Sequence, residues 1–150
     1  MKTRLLSLFI ISFSSLKLFA FPCFFTVMKD SCWTNYDVTI AINDIHEEKP
    51  MLTVTVPKGK SWVRQQTDCN IGQKLTYSAT FSPIIWENQA NMVYKVQQIV
   101  TLPTAIQPKE TAWDLHICFS EAFAKVPMPP SAGANCICNF NTIPAVEPLS

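Results

Sequence analysis

Six cysteines (Cys23, Cys32, Cys69, Cys118, Cys136 and Cys138) stand in a chain of 150 residues, and none of them precedes residue 23. An even number of thiols in a short chain that opens with an export signal reads as a disulfide framework. Six thiols admit many pairings, and spacing alone does not choose among them. Three bridges, at about 2–4 kcal/mol each, are a large share of what stabilises a small domain. A metal site is the competing reading, because His116-Ile-Cys118 and Cys136-Ile-Cys138 place ligand-type residues close together. Zinc knuckles space their thiolates by two to four residues and come in pairs. Here one residue separates each pair and no second knuckle follows, so neither a metal nor any other cofactor is expected.

The export signal is read from residues 1–20. Lys2 and Arg4 form a cationic start, Leu5 to Leu16 is interrupted only by serine, and Ala20 supplies a small residue for cleavage. The cut is placed after Ala20, with Ser14 as the fallback because Leu18 is larger than the residue usually found two positions before a cut. An uncleaved anchor would set Lys17 near mid-bilayer at a cost of about 3 kcal/mol. No later segment is apolar enough to span a membrane. Removal of the leader leaves nine basic residues against eleven acidic ones, a formal charge of −2. The basic residues are scattered singly, which gives no electrostatic case for nucleic acid. The expected location is the periplasm or the extracellular space. The sequence contains no N-x-Ser/Thr site, which leans toward a bacterial envelope.

Beyond the leader, alternation with period two dominates. Tyr36, Val38, Ile40 and Ile42 share one face of a first strand, and Leu52, Val54 and Val56 share one face of a second. Trp62–Thr67 is a less regular third strand, and a turn is expected over Asp68–Gly72. Leu75, Tyr77, Ala79 and Phe81 face inward from a fourth strand; Tyr94, Val96, Val100 and Leu102 do so from a fifth over Val93–Leu102, with Gln98 the exception. Trp113, Leu115, Ile117 and Phe119 mark the last strand, and Ser120–Ala124 is expected as a short helix stopped by Pro127. The fold class is therefore mainly β: an antiparallel β-sandwich, immunoglobulin-like or similar, of about six to seven strands. The domain spans residues 21–126. Residues 127–150, with five prolines, form an extended strap for Cys136 and Cys138 to pin.

Two groups of residues invite a functional reading. Asp114, His116 and Cys118 share one face of the last strand, opposite its apolar stripe. Residues two apart on a strand are separated by about 6.5–7 Å, beyond hydrogen-bond reach, so an acid–base–thiol triad is not expected and the chain is read as a non-enzyme. If Cys118 points away from the core, its partner lies outside the core, in a terminal segment. The second group is Phe81, Ile84, Ile85 and Trp86, an apolar run in a loop that serves either as a core plug or as a contact patch. Nucleotide fingerprints are missing, since the three glycines are isolated. The leading reading is an exported, non-catalytic interaction or structural protein whose partner is another envelope or extracellular protein. The alternative is a β-sandwich that binds a lipid or another hydrophobic small molecule between its sheets.

Overall fold

The computed structural model describes residues 20–133 and 135–147. The expected leader lies almost wholly outside these residues. Eight strands follow: β1 (Phe21–Lys29), β2 (Asp37–Asp44), β3 (Leu52–Val56), β4 (Trp62–Cys69), β5 (Lys74–Ser82), β6 (Tyr94–Lys95), β7 (Val100–Thr101) and β8 (Trp113–Phe119). They form two sheets. One has the order β4-β1-β8; the other has the order β3-β2-β5-β6, with β7 also on β5. Val38, Ile40, Ile42, Val54, Val56, Leu75 and Ala79 from the second sheet meet Phe25, Val27, Ile117 and Phe119 from the first in one core. The alternation of β2, β3, β5 and β8 thus puts each apolar stripe on the face that meets the other sheet, which gives a β-sandwich-like arrangement.

Trp33 closes one end of this core. It is fully buried, with ring centroids 4.7 Å from Phe81, 4.8 Å from Phe119 and 5.1 Å from Tyr36. The short 3-10 turn Ser31–Trp33 that carries it is capped by Asp30, whose Oδ1 accepts from the Cys32 amide at 2.9 Å. Asp30 Oδ2 accepts from the Ser120 amide at 3.1 Å. One buried carboxylate therefore ties the end of β1 to the end of β8.

The sequence leaves one strand unread, and four expectations are corrected. Phe21–Lys29 is the middle strand of its sheet, although its apolar run lacks alternation. The reason is that both its faces are covered: Phe25 and Val27 lie in the core, while Thr26 and Met28 on the other face are also buried. Pairing is not wholly antiparallel, because β1 and β8 run parallel, with Cys23 opposite Trp113 and Val27 opposite Ile117. Parallel neighbours need a long crossover, and the whole of β2–β7 supplies it. Asp68 and Cys69 belong to β4, so the turn begins only at Asn70.

The strand expected over Val93–Leu102 is broken, and this break displaces the helix expected over Ser120–Ala124. Ser78 pairs with Lys95, but Leu75 pairs with Val100. Five residues on one side answer three on the other, so a bulge carries Gln97 and Gln98 out of the ladder. The bulge turns Val96 toward Phe123, with which it forms an isolated antiparallel bridge. Gln97 Nε2 donates to the carbonyls of Glu121 and Phe123, both at 3.1 Å. Residues 121–124, expected within the helix, satisfy backbone groups against this edge instead.

Candidate functional site

All six cysteines are bridged: Cys23–Cys69, Cys32–Cys136 and Cys118–Cys138. Such bridges form in an oxidising compartment, consistent with an extracellular or periplasmic location. The first bridge links neighbouring strands β1 and β4 and is buried in the core. The other two fasten the C-terminal segment, one to the turn after β1 and one to β8. None runs between the two sheets. Asp30, Cys32 and Cys136 bring three ligand-type atoms within 4.8 Å of one another. Both sulfurs are consumed by their mutual bridge, so the cluster offers no thiolate.

The outer face of the β4-β1-β8 sheet carries a polar row. Arg64 Nε donates to Thr26 Oγ1 at 2.8 Å, and that hydroxyl donates to Asp114 Oδ1 at 3.0 Å. Arg64 also reaches Asp114 Oδ2 at 3.6 Å. Asp114 Oδ2 and His116 Nε2 lie 3.1 Å apart, so side-chain reach closes a gap that backbone spacing leaves open. Cys118, the third member of the row, is bonded to Cys138 and is no nucleophile. The C-terminal segment covers the row: Phe140 stacks on His116, and Arg64 Nη2 donates to the Pro144 carbonyl at 2.8 Å. The row works as a clamp for that segment.

The apolar run expected in a loop begins within β5, which carries Phe81, and continues into the β5–β6 connection, where it divides in two. Phe81 and Ile85 pack against the core, and Phe81 stacks on Tyr94 with centroids 5.6 Å apart. Ile84 and Trp86 face solvent at 46% and 55% exposure. Two further exposed residues of the same connection, Met92 and Val93, were not singled out in the sequence because they follow a polar stretch, Glu87–Asn91. A 3-10 turn over Glu87–Gln89 reverses the chain, and the Met92 amide donates to the Gln89 carbonyl at 3.1 Å. Asn91 makes this fold-back possible with φ +65°, a conformation that asparagine tolerates better than most residues. Ile84 and Met92 consequently line one cleft of about 260 Å³ together with Thr80, Phe81, Gln89, Asn91 and Tyr94.

A second cleft, of about 370 Å³, opens at the bulged edge between the sheets, where Tyr77, Val96, Val100, Ile117 and Phe140 meet. Among the described residues no helix is long and apolar enough to cross a membrane. The chain matches no protein-family model, no curated protein and no solved structure.

Proposed function

We propose that this chain is an exported, non-catalytic interaction protein that engages another envelope or extracellular protein through its β5–β6 connection. The observation that carries the reading is the exposure of Ile84, Trp86, Met92 and Val93 within ten residues, on a loop that leaves β5 beside Phe81 and whose Ile85 packs against the core. Apolar residues held out on a braced loop expose surface that a partner would bury, and aromatic anchors such as Trp86 dominate many interfaces. The non-catalytic part rests on the polar row. Its thiol is bridged, and its imidazole is committed to Asp114 and stacked under Phe140.

In the same reading, residues 1–20 are a leader removed on export, 21–126 the β domain and 127–150 the strap. A cut after Ala20 leaves β1 entire. An immunoglobulin-like order is supported by two sheets around one core, while antibody domains differ in carrying a bridge between their sheets. A photo-reactive residue at position 86, with one at the exposed Glu47 as control, tests the reading in an envelope fraction. A discrete adduct at 86, lost in Ile84→Asp, is expected; equal labelling at both positions would end it.

The alternative, a hydrophobic ligand between the sheets, has the 370 Å³ cleft in its favour. Native mass spectrometry of purified protein should then show a bound apolar compound.

A further inference from the structure

We propose that the cleft lined by Phe81, Ile84, Gln89, Met92 and Tyr94 is a recognition pocket for a neutral peptide amide bearing one apolar side chain. The inference rests on the reading of the β5–β6 connection as an interaction surface, and it specifies what that surface takes in. Among the described residues, four buried side-chain polar atoms lack a hydrogen-bond partner, and two of them, the Tyr94 hydroxyl and Gln89 Oε1, belong to residues that line this one cleft. Tyr94 itself is only 5% exposed. Buried polar groups without partners are costly and correspondingly rare in native proteins. Both atoms have almost no surface open to solvent, so a ligand that supplies the missing bonds must displace the side chains that cover them as it enters.

The chemistry of the lining narrows that ligand. A carboxamide oxygen can only accept, and the tyrosine hydroxyl can donate. A peptide unit answers both, with its N–H toward Gln89 Oε1 and its carbonyl toward Tyr94. No residue that lines the cleft is charged, so an ionic ligand would lose its hydration without a counter-charge. Phe81, Ile84 and Met92 supply apolar walls. At about 260 Å³ the cleft falls below the roughly 300–1,000 Å³ of sites for whole drug-sized ligands. It suits one residue of a partner chain rather than a free metabolite.

The test is a titration of the full oxidised protein, followed by NMR, with N-acetyl-phenylalaninamide and N-acetyl-leucinamide. Toluene, acetamide and N-acetyl-lysinamide serve as controls. The two apolar blocked amides should shift signals of Phe81, Met92 and Tyr94 more than any control does. Tyr94→Phe should fold with unchanged or higher stability, because it deletes an unpartnered hydroxyl, and should weaken binding about three- to tenfold. Gln89→Met should weaken it similarly. Toluene shifting the same signals as strongly, or Tyr94→Phe binding as tightly as the parent, would overturn the pocket, as would a Tyr94→Phe protein that loses stability. An adduct at position 86 with no amide binding sinks the pocket and leaves the surface standing. Amide binding with no adduct supports the pocket and removes the macromolecular partner.

Discussion

The ring of Phe140 lies flat on the imidazole of His116, with centroids 4.5 Å apart and planes 3° from parallel. This contact sits between the Cys118–Cys138 bridge and the Arg64–Pro144 hydrogen bond, so the C-terminal segment meets the sheet at three points in sequence. A stacked pair contributes about 0.5–1.5 kcal/mol beyond its buried area. Phe140→Ala should cost about 1 kcal/mol in denaturant unfolding while leaving the bridges intact. Amide exchange at Thr142 and Ile143, whose N–H groups bond within the segment, should quicken more than exchange in β2 or β5.

The two bridges of the C-terminal segment should behave as partial substitutes for each other. They anchor residues only two apart, Cys136 and Cys138. Either one keeps the segment near its sheet, so removing one costs less than the second removal that follows. Cys32→Ser with Cys136→Ser, or Cys118→Ser with Cys138→Ser, should leave the segment resistant to protease. All four substitutions together should expose residues 127–147 to cleavage. Cys23→Ala with Cys69→Ala acts inside the core instead, and should lower global stability by about 2–5 kcal/mol. Limited proteolysis beside urea unfolding separates the two behaviours.

Alkaline pH gives a signed prediction. Burial pushes the Tyr77 phenol up to about 12, whereas the unfolded side chain ionises near pH 10. Below pH 10 both states hold the proton and the contribution to stability is complete. Between pH 10 and 12 the unfolded chain gives the proton up first, so this contribution of about 2–3 kcal/mol is lost as pH rises. Urea unfolding across this range should show a descending limb that Tyr77→Phe flattens. Lys29 slopes the other way: burial lowers its ammonium, opposed by the charge of Asp37. Its unfavourable contribution therefore fades as pH rises from that lowered value toward 10.5.

Against this cost of burying its charge, Lys29 holds two backbone carbonyls. Its Nζ donates to the carbonyls of Tyr36 at 2.6 Å and Pro57 at 2.9 Å, which joins the entry to β2 to the turn before β4. Lys29→Met keeps the buried stem but leaves both carbonyls short of a donor. A loss of about 1–3 kcal/mol is expected near neutral pH, measured by thermal unfolding.

The buried carboxylate of Asp30 offers the sharpest single substitution. It accepts from two backbone amides, those of Cys32 and Ser120, 88 residues apart in the chain. Asp30→Asn retains the shape but turns an N–H pair toward one of those donors, and should cost about 2–3 kcal/mol. Asp30→Glu, which keeps the charge on a longer stem, should restore little of it. Differential scanning calorimetry on the three proteins decides the point.

How far the sequence could be read follows from where the local pattern had a single cause. Val38, Ile40 and Ile42 alternate because one face of β2 meets the core and the other faces outward, and period two is then unambiguous. Phe21–Lys29 has two causes of burial, the core on one side and a covering segment on the other, and its alternation vanishes. The bulge at Gln97 and Gln98 goes with the bridge between Val96 and Phe123, a contact between residues 27 apart in the chain that no local window contains. For the apolar loop, Ile84 and Trp86 were visible as an apolar run, whereas Met92 joins them only because Asn91 folds the chain back. Tyr94, legible as a core residue, gave no sign of an unpartnered hydroxyl, since that depends on what surrounds it in space.

The parallel pairing of β1 with β8 bears on the order in which the molecule can assemble. β1 is the first strand of the domain and the middle strand of its sheet, yet its neighbours are the fourth and the last. It has nothing to zip onto until Trp62–Cys69 has emerged, and its second edge stays open until Trp113–Phe119 arrives. By contrast β2, β3 and β5 are close along the chain and can pair early, with β2 between the other two. As the chain is synthesised, its most apolar strand is therefore the one that waits longest for its full set of neighbours. During that interval it is the segment most in need of a holding chaperone.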